Sequence, residues 1–286
     1  MLAYDAGPRA GMGHRRRMQA LSRALGLLGV DSTLADAGNG AVADLVVVDS
    51  YAYRADDRAR FSGMTVAAVD DLRRDLAVDL VIDPNPGSTP TPHQRARRVL
   101  AGHTYAMVDP DLASRPRPPV NDTVARALVT TGATDMAGSG ASVAGRLASL
   151  LPATSVRLVI GPWGSTSVPE GVEPVSAADG LHTELAAVDL VVTAAGVTLL
   201  ESLALGRPTV AFVTADNQQG AADGVAAVGA AVVTSIDEAP TVAARLAADA
   251  GQRRRLSQAG PAFVDGLGCR RIAEALLAAR REASPT

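Results

Sequence analysis

The sequence predicts an α/β protein of two domains, each a parallel sheet with helices packed against it, and three observations carry that prediction. Short apolar runs rich in Val, Leu and Ile alternate with amphipathic stretches along the chain, the pattern of repeated strand–helix units. A break at residues 109–122 holds Pro110, Pro116, Pro118 and Pro119, which remove backbone donors and forbid a helix interior. Only 3% of the chain is aromatic against 47% hydrophobic, so its cores are built from Val, Leu and Ala, a composition that fits helices packed on a parallel sheet. The 286 residues suffice for two such cores. The expected domains are 1–112 and 123–286, joined by a linker at 113–122, with parallel sheets facing a central cleft where a ligand binds.

In the first half, after a short initial strand, Met18, Leu21, Leu25 and Leu28 recur at three- or four-residue spacing and line one face of a helix between Gly13 and Gly29. Strands are expected at Leu45–Val48, Thr65–Val69, Leu80–Ile82 and Tyr105–Val108. In the second half they are expected at Ala127–Thr130, Val156–Ile160, Leu190–Thr193, Thr209–Val213 and Ala231–Thr234. Helices are expected at Ala141–Leu151, His182–Ala187, Thr198–Leu205, Ala221–Val228 and Val242–Ala248, and an amphipathic helix from Gly268 to Arg281 closes the second domain.

Lys and Arg total 27 against 30 Asp and Glu, so no overall basic field draws the chain to nucleic acid, and no such partner is expected. Cys269 is the only cysteine, which excludes an intrachain disulfide and a Cys-based zinc cluster. His93, His103 and His182 lack ligand spacing, so neither a metal nor a cofactor is expected. Nowhere do about 18 apolar residues run together, as a membrane helix requires; the expectation is a soluble, cytoplasmic protein.

Two segments carry candidate chemistry. Gly11-Met-Gly13-His14 lies at a strand-to-helix turn, where a ligand approaches the backbone and free amides face anionic oxygens. His14 there either activates a hydroxyl or water or merely caps the helix. The second segment runs from Asp189 through Thr193, Gly196, Thr198 and Glu201 to Gly206-Arg-Pro208 and Asn217-Gln218. A buried strand ending in small residues opens into a helix, so Ala195, Gly196 and Val197 offer backbone amides to a diphosphate, and Thr198 adds a hydroxyl. Glu201, one turn on, either accepts both hydroxyls of a ribose or complements the helix dipole.

With these residues in view, the stretch from Thr193 to Gln218 resembles the nucleotide-binding half of GT-B glycosyltransferases, among them the lipid II N-acetylglucosaminyltransferases. The whole chain more closely resembles the UDP-sugar hydrolases of pseudaminic acid synthesis. Their motifs match, in order, Gly11, Gly13, His14 and Arg17; Asp49 and Tyr51; Asp70 and Asp71; Asn85; a variant turn Thr131-Gly132-Ala-Thr134-Asp135; and Asp265-Gly266 with Gly268 and Arg271. The resemblance implies two Rossmann-like domains and a nucleotide-diphosphate sugar, UDP-linked by preference, as ligand. It implies that His14, Tyr51 and Asp49 serve the anomeric carbon. Gly13, Arg17, Gly132, Thr134, Leu181, Ala195, Gly196, Val197, Thr198, Glu201, Asn217 and Gln218 then hold the nucleotide sugar. Two departures stand out: Gly102-His-Thr-Tyr105 is not followed by the family's arginine, and Thr131 replaces a glycine.

Asp109-Pro-Asp111 reads as a turn despite its Asp-x-Asp form, and Trp163 as a packing residue. Ser50 and Ser202 have no hydrolase-elbow setting. The leading expectation is a metal-independent hydrolase that cleaves the anomeric C–O bond with inversion. The alternatives are an inverting glycosyltransferase, in which the same histidine serves an acceptor hydroxyl, and a non-catalytic nucleotide-sugar binder.

Overall fold

The computed structural model describes residues 1–7, 12–37, 43–133, 135, 138–164, 167–176 and 180–283. The chain divides into two compact units, one of residues 1–111 with 266–286 and one of residues 112–265.

The first unit contains β1 (Leu2–Tyr4), α1 (Gly13–Leu27), β2 (Leu34–Asp36), β3 (Leu45–Asp49), β4 (Thr65–Val69), β5 (Leu80–Asp83) and β6 (Arg98–Ala101). Its six strands are all parallel in the order β2-β1-β3-β4-β5-β6. One face of the sheet is covered by Met18, Leu21 and Leu25 of α1 together with Cys269, Ile272 and Leu276 of the C-terminal helix. The other face packs Val46, Val48, Val66 and Val81 against Tyr53, Phe61 and Leu76, residues of short helical turns and loops. The predicted strand at Tyr105–Val108 is not formed. The sixth strand is Arg98–Ala101, and Met107 and Val108 are buried as non-strand chain after a helical turn at His103–Tyr105. Burial of an apolar run does not by itself select a strand.

The second unit contains β7 (Arg126–Thr130), α2 (Ser139–Leu150), β8 (Ser155–Ile160), β9 (Val172–Ser176), α3 (His182–Ala187), β10 (Leu190–Ala194), α4 (Val197–Ala204), β11 (Thr209–Phe212), α5 (Gln219–Ala227), β12 (Val232–Val233), α6 (Ala239–Ala248) and α7 (Ala250–Phe263). Its strands are again all parallel, in the order β12-β11-β10-β7-β8-β9. Two buried arginines tie the proline-rich segment to this unit. Arg207 donates to the carbonyls of Val188 and Pro118, and Arg253 to those of Asn121, Asp122, Leu246 and Ala247. Sequence reading missed α7, whose Gly251, Gly260 and Pro261 imitate a breaker-rich loop; Pro261 lies inside the helix.

The last helix, α8 (Gly268–Ala283), belongs to the first unit, which corrects its assignment to the second domain. Its apolar stripe completes the core around α1, and Gly268 permits the approach: a Cβ there would stand 2.1 Å from the carbonyl oxygen of Ala106. Gly268→Ala is therefore expected to destabilise the protein by about 1–3 kcal/mol or more through overpacking against fixed backbone. Gly26→Ala, on the exposed side of α1 with open space at its Cβ, is expected to stabilise it by about 0.5–1 kcal/mol. Urea unfolding of the two variants checks the pair, and equal midpoints contradict the packing account.

Candidate functional site

In an open parallel sheet, ligands gather at the carboxyl ends of the strands where the connection order reverses. The first sheet reverses between β1 and β3, and the second between β7 and β10. The candidates around His14 fall at the first of these places and those around Gly196 at the second.

At the first, α1 follows β1, and His14 and Arg17 are one turn apart on the same helix face. Both reach Asp49, the last residue of β3. His14 Nδ1 lies 2.7 Å from Asp49 Oδ1 and 3.1 Å from its carbonyl oxygen, while Arg17 Nε and Nη2 donate to Oδ2 and Oδ1 at 3.0 and 2.8 Å. All three are buried, His14 to 2% exposure and Asp49 to 1%. Burial pushes the Asp49 carboxyl up, but the Arg17 charge and the hydrogen bonds from His14 and Arg17 outweigh it and hold it below the ordinary carboxylate range. Burial likewise works to strip Arg17 of its proton, and the charges of Asp49 and Asp71 overcome this and raise its pKa. With two acceptor oxygens at Nδ1, the Nδ1 atom carries the hydrogen; in the neutral ring Nε2 then holds the free lone pair. The N-cap of α1 is Met12, and the His14 contacts among the described residues go to Asp49 and Arg17, which argues against a capping role.

Tyr51 follows on the loop after β3. Its ring meets the His14 imidazole edge to face at 4.6 Å, and its hydroxyl donates to Asp71 Oδ2, which also accepts from Arg17 Nη1 at 2.8 Å. Burial and the neighbouring Asp71 charge push the phenol up to about 12, so it remains a donor at neutral pH. The Tyr51 amide donates to Asp5 Oδ2, and Asn85 Nδ2 to the Asp71 carbonyl. Arg17 is thus an internal counter-ion of two aspartates, donating through Nε and Nη2 to Asp49 and through Nη1 to Asp71. These bonds account for Arg17 within the first unit without calling on a nucleotide sugar. Asp70 is fully buried and bonded to Arg74, so it supports the site from beneath. Gly13 begins α1 with open space at its Cβ position; Gly11 lies outside the described residues.

At the second place β10 ends at Ala194 and α4 starts at Val197. The Ala195 and Gly196 amides are already bonded to the carbonyls of Phe212 and Ala194, which corrects the expectation that they are open donors. Val197 and Thr198 stand in the first turn of α4, where helix geometry supplies the amides no partner. Gly196 has a negative φ and nothing within 4 Å of its Cβ position, so the fold itself does not demand glycine there. Glu201 is 5% exposed; its Oε1 lies 3.3 Å from His182 Nε2, and its Oε2 has no hydrogen-bond partner among the described residues. An unsatisfied buried carboxylate oxygen is costly, and a ligand hydroxyl relieves it.

The remaining predicted residues are dispersed or engaged. Gly132 is exposed with φ of 102°, and Thr134 lies outside the described residues. The following Asp135 accepts from the Ser139 and Gly140 amides, filling the N-terminus of α2. Leu181 has a buried side chain and a carbonyl bonded to Leu185, so neither is open to a ligand. Gln218 Oε1 accepts from the Thr214 amide and hydroxyl, and Asn217 is half-buried in the same helical turn. Sequence reading missed the partnership of His182 with Glu201, because no spacing rule links residues 19 apart on different helices. Among the described residues, no group of three His, Cys, Asp or Glu is placed to hold a metal, and no helix is long and apolar enough to cross a membrane.

No protein-family model and no curated protein matches the sequence. Solved structures do. MurG of Acinetobacter baumannii is similar at 15% identity and a TM-score of 0.56, covering 97% of this chain and 99% of its own. The glycosyltransferase SsfS6 of Streptomyces sp. SF2575, solved with thymidine diphosphate, is similar at 17% identity and a TM-score of 0.60, covering 96% and 99%. The fold is GT-B. A Listeria monocytogenes protein assigned as a UDP-N-acetylglucosamine 2-epimerase shares it at 13% identity and a TM-score of 0.57, covering 99% and 97%, so the fold hosts more than one reaction. The likeness to the UDP-sugar hydrolases gains no support from these structures.

The Asp49 environment makes stability depend on pH. Its carboxyl is held below its unfolded value, so its contribution is present above about pH 4 and is lost as pH falls through the folded pKa. Asp49→Asn is expected to cost about 1.5–3 kcal/mol at pH 7, the range for hydrogen bonds to charged groups. Urea titrations from pH 7 to 2.5 should show the gap to the wild type narrowing below about pH 4; a constant gap contradicts the assignment.

Proposed function

We propose that the protein is a glycosyltransferase that moves a sugar from a nucleoside-diphosphate donor to an acceptor hydroxyl with inversion. The observation that carries this reading is the buried His14–Asp49 pair at the carboxyl ends of β1 and β3. Asp49 fixes the tautomer, orients the ring and stabilises the imidazolium that forms; Nε2 takes the acceptor proton. The acceptor oxygen forms the new bond to the anomeric carbon while the bond to the diphosphate breaks, and its electron pair leaves with the nucleoside diphosphate. The first amides of α4 favour that anionic leaving group. Glu201 takes the ribose hydroxyls, Oε2 being the oxygen that lacks a partner among the described residues.

Transfer replaces hydrolysis as the leading reading because the similar structures named above include glycosyltransferases. The fold similarity supports the class of reaction and leaves base, sugar and acceptor to experiment. The test is a panel of UDP-, dTDP-, CDP- and GDP-sugars, with and without candidate hydroxyl acceptors, followed by mass. Acceptor-dependent release of nucleoside diphosphate supports transfer, whereas equal release without acceptor restores the hydrolase.

His14→Ala is expected to lower turnover about 10²- to 10⁴-fold with little change in nucleotide affinity. Near-normal turnover by the folded variant sinks the mechanism. Calorimetric titration of Glu201→Ala with the nucleoside diphosphate is expected to show binding weakened by about 1–3 kcal/mol. Unchanged affinity reduces Glu201 to a partner of His182.

A further inference from the structure

Arg74 lies behind the His14 site and touches none of its reacting atoms. It sits on the loop after β4, between Arg73 and Asp75, whose φ angles of 57° and 47° are left-handed. Two non-glycine residues in that region within three positions mark a loop held against its local preference. What holds it is Asp70, fully buried at the end of β4: Oδ2 accepts from the Arg74 amide at 2.6 Å, and Oδ1 from Arg74 Nε at 2.7 Å. Behind Asp70 stands His93, equally buried, which reaches Asp83 at the end of β5 through Nε2 at 3.2 Å. The guanidinium is thereby anchored to the end of β4; His93 Nδ1 stands 3.7 Å from Asp70 Oδ2, beyond hydrogen-bond reach.

From this anchor Arg74 Nη1 points at three peptide carbonyls, those of Ser50, Tyr51 and Tyr53, at 3.0, 3.2 and 3.1 Å. Arg54 meets the Tyr51 and Tyr53 carbonyls from its exposed side, without tying them to the sheet. The loop so gripped carries Tyr51, whose ring packs edge-on against His14 and whose hydroxyl meets Asp71.

We infer that Arg74 is a positioning residue: by clamping the Ser50–Tyr53 backbone to the carboxyl end of β4, it holds the Tyr51 ring that packs against the His14 imidazole. This rests on the transferase reading only for its consequence, because the clamp acts on Tyr51 whatever the reaction. Lysine supplies a point charge and lacks the planar fork that bonds Asp70 and the carbonyls together. Arg74→Lys is therefore expected to loosen the ring while leaving the charge.

The experiment has two arms. In the first, ¹³C-tyrosine spectra are recorded for wild type and Arg74→Lys, the Tyr51 signal being assigned from Tyr51→Phe among the four tyrosines. A shifted or exchange-broadened Tyr51 signal, with Tyr4 and Tyr105 unchanged, is expected; an unmoved Tyr51 signal overturns the inference. In the second, Arg74→Lys is expected to lower kcat about 10- to 100-fold with KM for the donor unchanged, the loss expected from slight misplacement of a catalytic group. In a Tyr51→Ala background the same substitution should change kcat less than about twofold, since residues acting through one another are not additive. Additive losses, or a rise in KM alone, overturn the positioning role. Arg74→Gln takes the place of Arg74→Lys in both arms if the lysine variant does not fold. A wild type that turns over no donor in the panel sinks the transferase reading alone, and the Tyr51 spectrum then decides the clamp by itself.

Discussion

A carboxylate buried at the end of a strand has to be answered by cations and donors, and in this protein that carboxylate is Asp49. Its two oxygens set the rotation of α1, because His14 and Arg17 reach them only when one helix face is turned to the end of β3. The same rotation places Met18, Leu21 and Leu25 on the sheet, so polar satisfaction and apolar packing demand one orientation of one helix. Arg17 then extends the network to Asp71 and, through it, to Tyr51. The geometry at His14 is in this sense a by-product of neutralising a buried charge, which explains why the group proposed for chemistry sits among groups that hold the unit together.

The second unit solves a related problem differently. Glu201 is also buried, but only one of its oxygens has a partner among the described residues. Gly196 beside it forgoes a side chain that neither its backbone angles nor its neighbours would refuse. At the first site both Asp49 oxygens are met by protein donors, whereas at the second one Glu201 oxygen has no partner among the described residues. A network closed on itself suits a group that must hold a tautomer; an open one suits a group that waits for a hydroxyl.

The strand–helix alternation exposed the architecture in the sequence, because parallel strands buried on both faces leave continuous Val and Leu runs that few other structures produce. His14, Asp49, Tyr51, Gly196 and Glu201 were legible as candidate site residues because their motifs stand at the ends of those runs. Arg17 was legible as important, but its spacing from His14 shows a shared helix face and not that two aspartates meet it there. The amides of Ala195 and Gly196 were misjudged because their acceptors, Phe212 and Ala194, become visible only once the chain has turned. The strand expected at Tyr105–Val108 and the missed α7 failed for opposite reasons: one is apolar without being paired, the other helical despite a proline and two glycines within it.

The placement of α8 carries a consequence for how the chain is made. The first unit is discontinuous: its sheet and α1 are written at the start of the sequence, while the helix that covers their shared core is written at the end. During synthesis the second unit emerges as one uninterrupted segment, with all its strands in hand, before the first can close. Until residues 268–283 leave the ribosome, the apolar stripe of α1 and the sheet beside it stay partly uncovered. Burial of that surface therefore waits for a helix written more than 150 residues after the last strand of the same sheet, and partly covered apolar surface of this kind is prone to misassociation.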